Sequence, residues 1–269
     1  MSFGHLCDKP DFDELRLIAP RPGAPLWFLH IPKTAGSSFR RAMMARIPGS
    51  LHLDMWQDGP NPHRTAPETV VADFTRSGAF ASVLFCATHV PFRHWTLLAT
   101  QPDTKLITFL REPTARLISD YRYQGTERHP IHQEFRAKFP DFNQFFRDKS
   151  NINRMTKHLA AFANEPVDAI IDRLETNFAL VGTQEEYDLC LRLLLAGLGL
   201  TADAHDRKVN VTDASAMAIS PGDDLLAEIR QLNHADTALF THFSRRIAAA
   251  KPALEAMLAQ HQIPAGGAV

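Results

Sequence analysis

The segment Leu26 to Ile47, LWFLHIPKTAGSSFRRAMMARI, constrains this chain more than any other. Leu26 to Ile31 is a short, mostly apolar run that Pro32 ends, the pattern of a buried strand. Ser37 to Ile47 reads as a helix stopped by Pro48-Gly49. Only the turn Pro32 to Gly36 separates the two, so several backbone N–H groups are left without partners where the helix begins. Thr34, Ala35, Gly36, Ser37 and Ser38 are small enough for an anion to approach the backbone closely, and Lys33 adds a point charge. The same hydroxyls would also serve as plain helix caps, and spacing alone leaves both readings open.

Further strand and helix patterns follow. Ala81 to Ala87 and Lys105 to Leu110 are apolar runs that lead into His89 and Arg111, and Phe178 to Gly182 is a fourth short strand. Pro67 to Arg76 reads as helical, as does a segment from Pro113 to about Tyr123, where proline fits the first turn. Helical patterns then cover 130 to 139, 141 to 148, 152 to 162, 166 to 176, 185 to 198 and 222 to 259. This order predicts an α/β fold, a central parallel sheet flanked by helices in three layers, with a helix-rich C-terminal half. Residues 48 to 66 read as a loop able to fold over a ligand, 1 to 25 as an N-terminal extension, 26 to 263 as a single domain and 264 to 269 as a flexible tail.

Composition limits the partners. The 269 residues carry 29 Lys and Arg against 30 Asp and Glu, so no extended basic surface is available for nucleic acid. Cys7, Cys86 and Cys190 are too few and too scattered for a disulfide framework or a thiolate metal site, which fits a reducing compartment. The most apolar stretch, Leu189 to Leu200, is interrupted by Arg192 and too short to span a bilayer; it reads as a buried helix. A soluble, cytoplasmic protein without a transmembrane segment is expected.

The turn is not a Walker A loop, because Lys33 precedes the sole glycine rather than following it. The predicted strands end at His89 and Arg111, a base and a cation, where a magnesium-dependent enzyme would present an acid. An anionic donor handled without a metal is the expectation. His52 with Asp54, and His129 with His132, offer two metal ligands each at best and read as surface residues. Arg116 and Asp120, four apart, read as a surface helix pair outside the site. Tyr121, Arg122 and Tyr123 fit either a nucleotide wall or helix packing, and Arg207 and Lys208 either a basic loop over the ligand or a solvated turn.

HIPKTAGSS after a short apolar strand resembles the 5′-phosphosulfate loop of sulfotransferases, in the branch that includes heparan sulfate 2-O-sulfotransferase and related carbohydrate enzymes. TFLREPTARLISDYRY, 108 to 123, resembles the 3′-phosphate motif of the same family, and roughly two-thirds of the chain is similar in pattern, 124 to 176 excepted. The resemblance implies a P-loop-like fold, 3′-phosphoadenosine 5′-phosphosulfate (PAPS) as donor and no metal requirement. It implies that Lys33 contacts the 5′-phosphate and bridging oxygen, that Thr34, Ala35, Gly36, Ser37 and Ser38 form the cradle, and that Arg111 and Ser119 hold the 3′-phosphate. His30 stands where some relatives carry an arginine.

Sulfuryl transfer needs a proton acceptor for the attacking hydroxyl, and histidine titrates in the right range. Of 13 histidines His89 is best placed, at a strand end within ATHVPF, which is similar to the family segment that holds the catalytic histidine. Some relatives carry a second histidine two residues earlier, where this chain has Ala87. The expected activity is transfer of a sulfuryl group to a hydroxyl of a carbohydrate or glycolipid with His89 as base. The rivals are a P-loop kinase using ATP and magnesium and a noncatalytic nucleotide sensor.

Overall fold

The computed structural model describes residues 1–57, 63–99, 101, 103–201, 219 and 221–261. Its strands are β1 (Leu26–Leu29), β2 (Ser50–Leu53), β3 (Trp56–Gln57), β4 (His63–Arg64), β5 (Phe85–Thr88), β6 (Lys105–Leu110) and β7 (Phe178–Thr183). Five form one sheet in the order β2-β5-β1-β6-β7, with every pairing parallel, while β3 and β4 make a separate antiparallel pair. All five strands therefore end at one edge of the sheet, where ligands of open α/β sheets bind. The interior strands are continuous apolar runs because helices cover them; Leu26, Phe28, Phe85 and Ile107 are fully buried.

The helices among the described residues are α1 (Phe3–Asp8), α2 (Phe12–Leu15), α3 (Gly36–Met44), α4 (Pro67–Ser77), α5 (Thr96–Ala99), α6 (Pro113–Gln124) and α7 (His132–Lys138), followed by α8 (Phe142–Arg147), α9 (Arg154–Leu159), α10 (Val167–Asn177), α11 (Tyr187–Gly197), α12 (Asp223–Leu232) and α13 (His234–Gln260). None of them is long and apolar enough to cross a membrane. The expected α/β architecture is thus present, a parallel sheet flanked by helices.

Four expectations change. The 48 to 66 segment is not a plain loop: it supplies the edge strand β2, whose half-buried Ser, Leu and His residues give no apolar run. The run 81 to 87 is a strand only from Phe85, since Ala79–Ala81 is a 3-10 turn. The pattern 222 to 259 is two helices, broken at Asn233, whose side-chain amide donates to the Ile229 carbonyl and whose side-chain oxygen accepts from the Asn153 N–H. The first 25 residues contribute Phe3, Leu6, Leu15 and Ile18 to the main core. The tail 264 to 269 lies outside the described residues.

A second core, built from Leu117, Tyr121, Phe135, Phe139, Phe142, Phe145, Phe146 and Ile229, locks α6 against α7, α8 and α12. Helix α9 is held differently. The buried Asp236 carboxylate accepts the Met155 and Thr156 N–H groups at 3.0 and 2.8 Å, satisfying two of the donors that a helix start leaves open. Burial raises the Asp236 pKa, a cost that these two bonds partly offset.

The turn between β1 and α3 depends on a contact that only glycine permits. A Cβ on Gly36 would lie 1.9 Å from Cδ2 of His30, whose ring is buried beneath the turn. Gly36→Ala is expected to cost about 1–3 kcal/mol through overpacking, read from urea denaturation. Asp236→Ala strands two buried N–H groups and is expected to cost about 2–3 kcal/mol in the same measurement, with faster amide exchange in α9.

Candidate active site

The loop that follows β1 is shaped as a cradle of donors. Lys33 and Ala35 both have φ of 72°, the left-handed region that side chains rarely adopt. Two bonds hold this shape: Thr34 Oγ1 donates to the Ile31 carbonyl at 2.9 Å, and Arg111 Nη1, from the end of β6, donates to the Lys33 carbonyl at 3.2 Å. The N–H groups of Lys33, Thr34, Ala35, Gly36 and Ser37 have no acceptor among the described residues. Those donors, with Lys33 and Arg111, are fitted to a highly charged anion.

Helix α6 closes one side. Its start is capped by Glu112, which accepts from the Ala115 N–H at 2.7 Å. Arg116, Ser119, Asp120 and Tyr123 share one face by their i, i+3 and i+4 spacing. Lys33 Nζ lies 4.0 Å from the Tyr123 ring centroid, which settles one open choice: Tyr123 meets the loop, whereas Tyr121 belongs to the aromatic core. Ser119 is half-buried one turn before Tyr123. Burial brings the Lys33 pKa down to about 8, helped by Arg111 and Arg116 and opposed by Asp120.

Arg116 and Asp120 are not a surface pair. Both are buried, Nη1 to Oδ2 is 3.0 Å, and Gln124 donates to the other carboxylate oxygen at 2.9 Å. With its charge matched inside the protein, Asp120 is kept below the usual carboxylate range by Arg116 and Arg154 despite its burial. The reason for the difference is helix α6 itself, which is packed on both sides by the sheet loop and the aromatic core.

Histidines gather on the other side. His89 directs Nδ1 to the carbonyl of His30 at 2.9 Å, and since a carbonyl can only accept, Nδ1 carries the proton. In the neutral ring the Nε2 lone pair is then available as a base. The two rings lie 4.0 Å apart. Burial holds the His89 pKa below the ordinary histidine value, against Asp54 and the His30 bond, which favour the charged form. Burial also lowers His52 to about 4 and His158 to about 3. His30 is buried beneath Gly36 and stacks on Phe28 at 5.2 Å, so it serves as the floor of the turn.

Sequence reasoning missed the companions of His89. His52 and Asp54, expected as an isolated surface fragment, lie within one cluster: a donor atom from each and one from His89 are all within 4.8 Å of one another, close enough to share a cation or a single oxygen. The alternation H-x-D on a strand was the available signal, since it puts both side chains on one face. His158 and Arg154, near enough to act electrostatically on His89, come from α9 within the stretch that matched no motif. His132 Nδ1 donates locally to the His129 carbonyl, 3.2 Å away, which makes that pair part of a turn. Arg207 and Lys208 lie outside the described residues. All three cysteines are buried and free.

The arrangement therefore sets an anion cradle and a neutral imidazole base on neighbouring strand ends, which suits transfer of a charged group to a hydroxyl. A family model described as the sulfotransferase family matches residues 18–172, extending through most of the stretch that the motifs left uncovered. No curated protein gives a significant match. Among solved structures the chain is similar to a sulfotransferase from Alicyclobacillus acidocaldarius, at 18% identity over 86% of this chain and 99% of that one, with a TM-score of 0.46. It is similar also to mouse sulfotransferase SULT7A1 complexed with PAP, at 14% identity over 94% of this chain and 95% of that one, with a TM-score of 0.46. With more than half of its length matched by the family model, the chain belongs to the sulfotransferase family and is an enzyme of sulfuryl transfer.

Proposed function

We propose that the enzyme moves a sulfuryl group from PAPS to a hydroxyl, with His89 as general base and no metal. The observation that carries this reading is the 2.9 Å bond from His89 Nδ1 to the His30 carbonyl, which leaves Nε2 basic beside the donor cradle. The donor supplies an activated sulfuryl group whose bond to the 5′-phosphate oxygen breaks. Lys33 and the N–H groups of Thr34, Ala35, Gly36 and Ser37 stabilise the charge that collects on that oxygen, with the Ser37 and Ser38 hydroxyls completing the cradle. Arg111 and Ser119 hold the 3′-phosphate. His89 takes the hydroxyl proton as the oxygen attacks sulfur in line.

The motif resemblance supports a carbohydrate or glycolipid hydroxyl as acceptor, and the buried free thiols suit a cytoplasmic location. A kinase reading gains one acid from the structure, Asp54 after β2, but that acid stands in the histidine cluster. Calorimetry tests the donor: adenosine 3′,5′-bisphosphate is expected to bind, and tight binding of ATP with magnesium without bisphosphate binding would overturn the reading.

Two variants separate the roles. His89→Ala is expected to keep bisphosphate affinity within about twofold and to lose about 10²- to 10⁴-fold in turnover, measured as release of bisphosphate from PAPS. Undiminished turnover would remove His89 from the chemistry. Because Lys33 sits near pKa 8 in the free enzyme and an anion favours its charged form, bisphosphate affinity is expected to fall about tenfold per pH unit above pH 8. In Lys33→Met that dependence should be absent and affinity at pH 7 lower.

A further inference from the structure

The edge strand β2 places two chemically capable side chains against His89. Parallel pairing sets His52 opposite Ala87, two residues before His89, so His52, Asp54 and His89 project from the same face of the sheet. The His52 and His89 ring centroids are 5.8 Å apart at 74°. His52 Nε2 is buried with no hydrogen-bond partner, and the Asp54 carboxylate is 3.9 Å from it, too far for a bond but near enough to favour a proton on that nitrogen. An unpartnered buried N–H is costly unless a ligand or water meets it.

The spacing says what would meet it. Two hydrogen bonds of about 2.9 Å to one shared oxygen span at most about 5.8 Å. A nitrogen of His52, a nitrogen of His89 and an oxygen of Asp54, mutually within 4.8 Å, are therefore close enough together to meet on a single oxygen atom. A metal ion would fit the same donors, but Arg40 and Arg154 act on this cluster with positive charge, which opposes a dication and leaves a hydroxyl unaffected.

We infer that β2 supplies the second half of the acceptor site: His52 Nε2–H donates to a lone pair of the attacking hydroxyl while His89 Nε2 receives its proton, and Asp54 keeps His52 in the donating tautomer. This rests on His89 as the base. The oxygen–sulfur bond forms as the bond from sulfur to the donor's phosphate oxygen breaks; the hydroxyl proton goes to His89 and thence to solvent; His52 keeps its own proton throughout. His52 thereby fixes the direction of the lone pair that attacks, and the edge strand acts as a selector of which hydroxyl is presented.

The test has a structural arm and a kinetic arm. A crystal structure of the free enzyme is expected to show one ordered water within hydrogen-bond distance of both His52 and His89; rings that share no oxygen would overturn the inference. PAPS consumption is followed with water as acceptor and with whichever hydroxyl probe of a saccharide panel the parent enzyme turns over. His52→Ala is expected to lower kcat about 10- to 100-fold with bisphosphate affinity within about twofold, and His52→Gln, whose amide also donates, to recover part of the loss. Turnover of His52→Ala within about twofold of the parent sinks the inference while leaving His89 as base intact. Full activity in His89→Ala instead sinks the base, and the shared water then decides the His52 site alone.

Discussion

One hydrogen bond organises the candidate site. The His89 ring nitrogen and the His30 carbonyl belong to the ends of adjacent parallel strands, β5 and β1, whose register pairs Leu29 with Thr88. The carbonyl settles the tautomer of His89, while the His30 side chain supports Gly36 and with it the turn that opens α3. The tautomer of His89 and the shape of the turn thus depend on two sides of one residue. Any shift of the His30 backbone relative to β5 would move both, and a side chain on the glycine above it would press on the same ring.

Electrostatics explains how a chain with 29 cationic and 30 anionic residues handles a highly charged nucleotide. Lys33 and Arg111 are partly buried near one another, and each is pushed toward its neutral form by burial. That cost is carried by the folded enzyme before the ligand arrives, and an anion in the cradle relieves it. The buried Arg116–Asp120 pair moderates the same field. Removing Arg116 would take away the ion-pair partner of a buried carboxylate behind Lys33, so the pair is better understood as support for the cradle than as a source of net stability.

Much of the backbone that builds the candidate cradle was legible in the sequence because it is contiguous. Strand, turn and helix from Leu26 to Ile47 are read from one another in order, and the stretch from Arg111 to Tyr123 is one turn and one helix. The buried state of Arg116 was not legible, since an i, i+4 pair looks the same on a surface as in a core. Strand β2 escaped because an edge strand of four half-buried residues has no hydrophobic signature. The break at Asn233 escaped because it is made by Asn153, a residue 80 positions away.

The cluster around His89 was hidden for a related reason: its parts meet only in three dimensions. His52 comes from β2 and Asp54 from the residue just past it, His89 from the residue after β5, and His158 and Arg154 from α9, which Asp236 of α13 anchors through two backbone bonds. His52 and Asp54 are two residues apart and Arg154 and His158 four, but the three groups are each more than 30 residues from the next. A donor shared by a whole family can be held by one unbroken motif, whereas an acceptor particular to one enzyme is met by side chains drawn from separate elements. Such elements can change independently of the turn after β1, so on the proposed reading one cradle and one base can be combined with different surroundings for the hydroxyl.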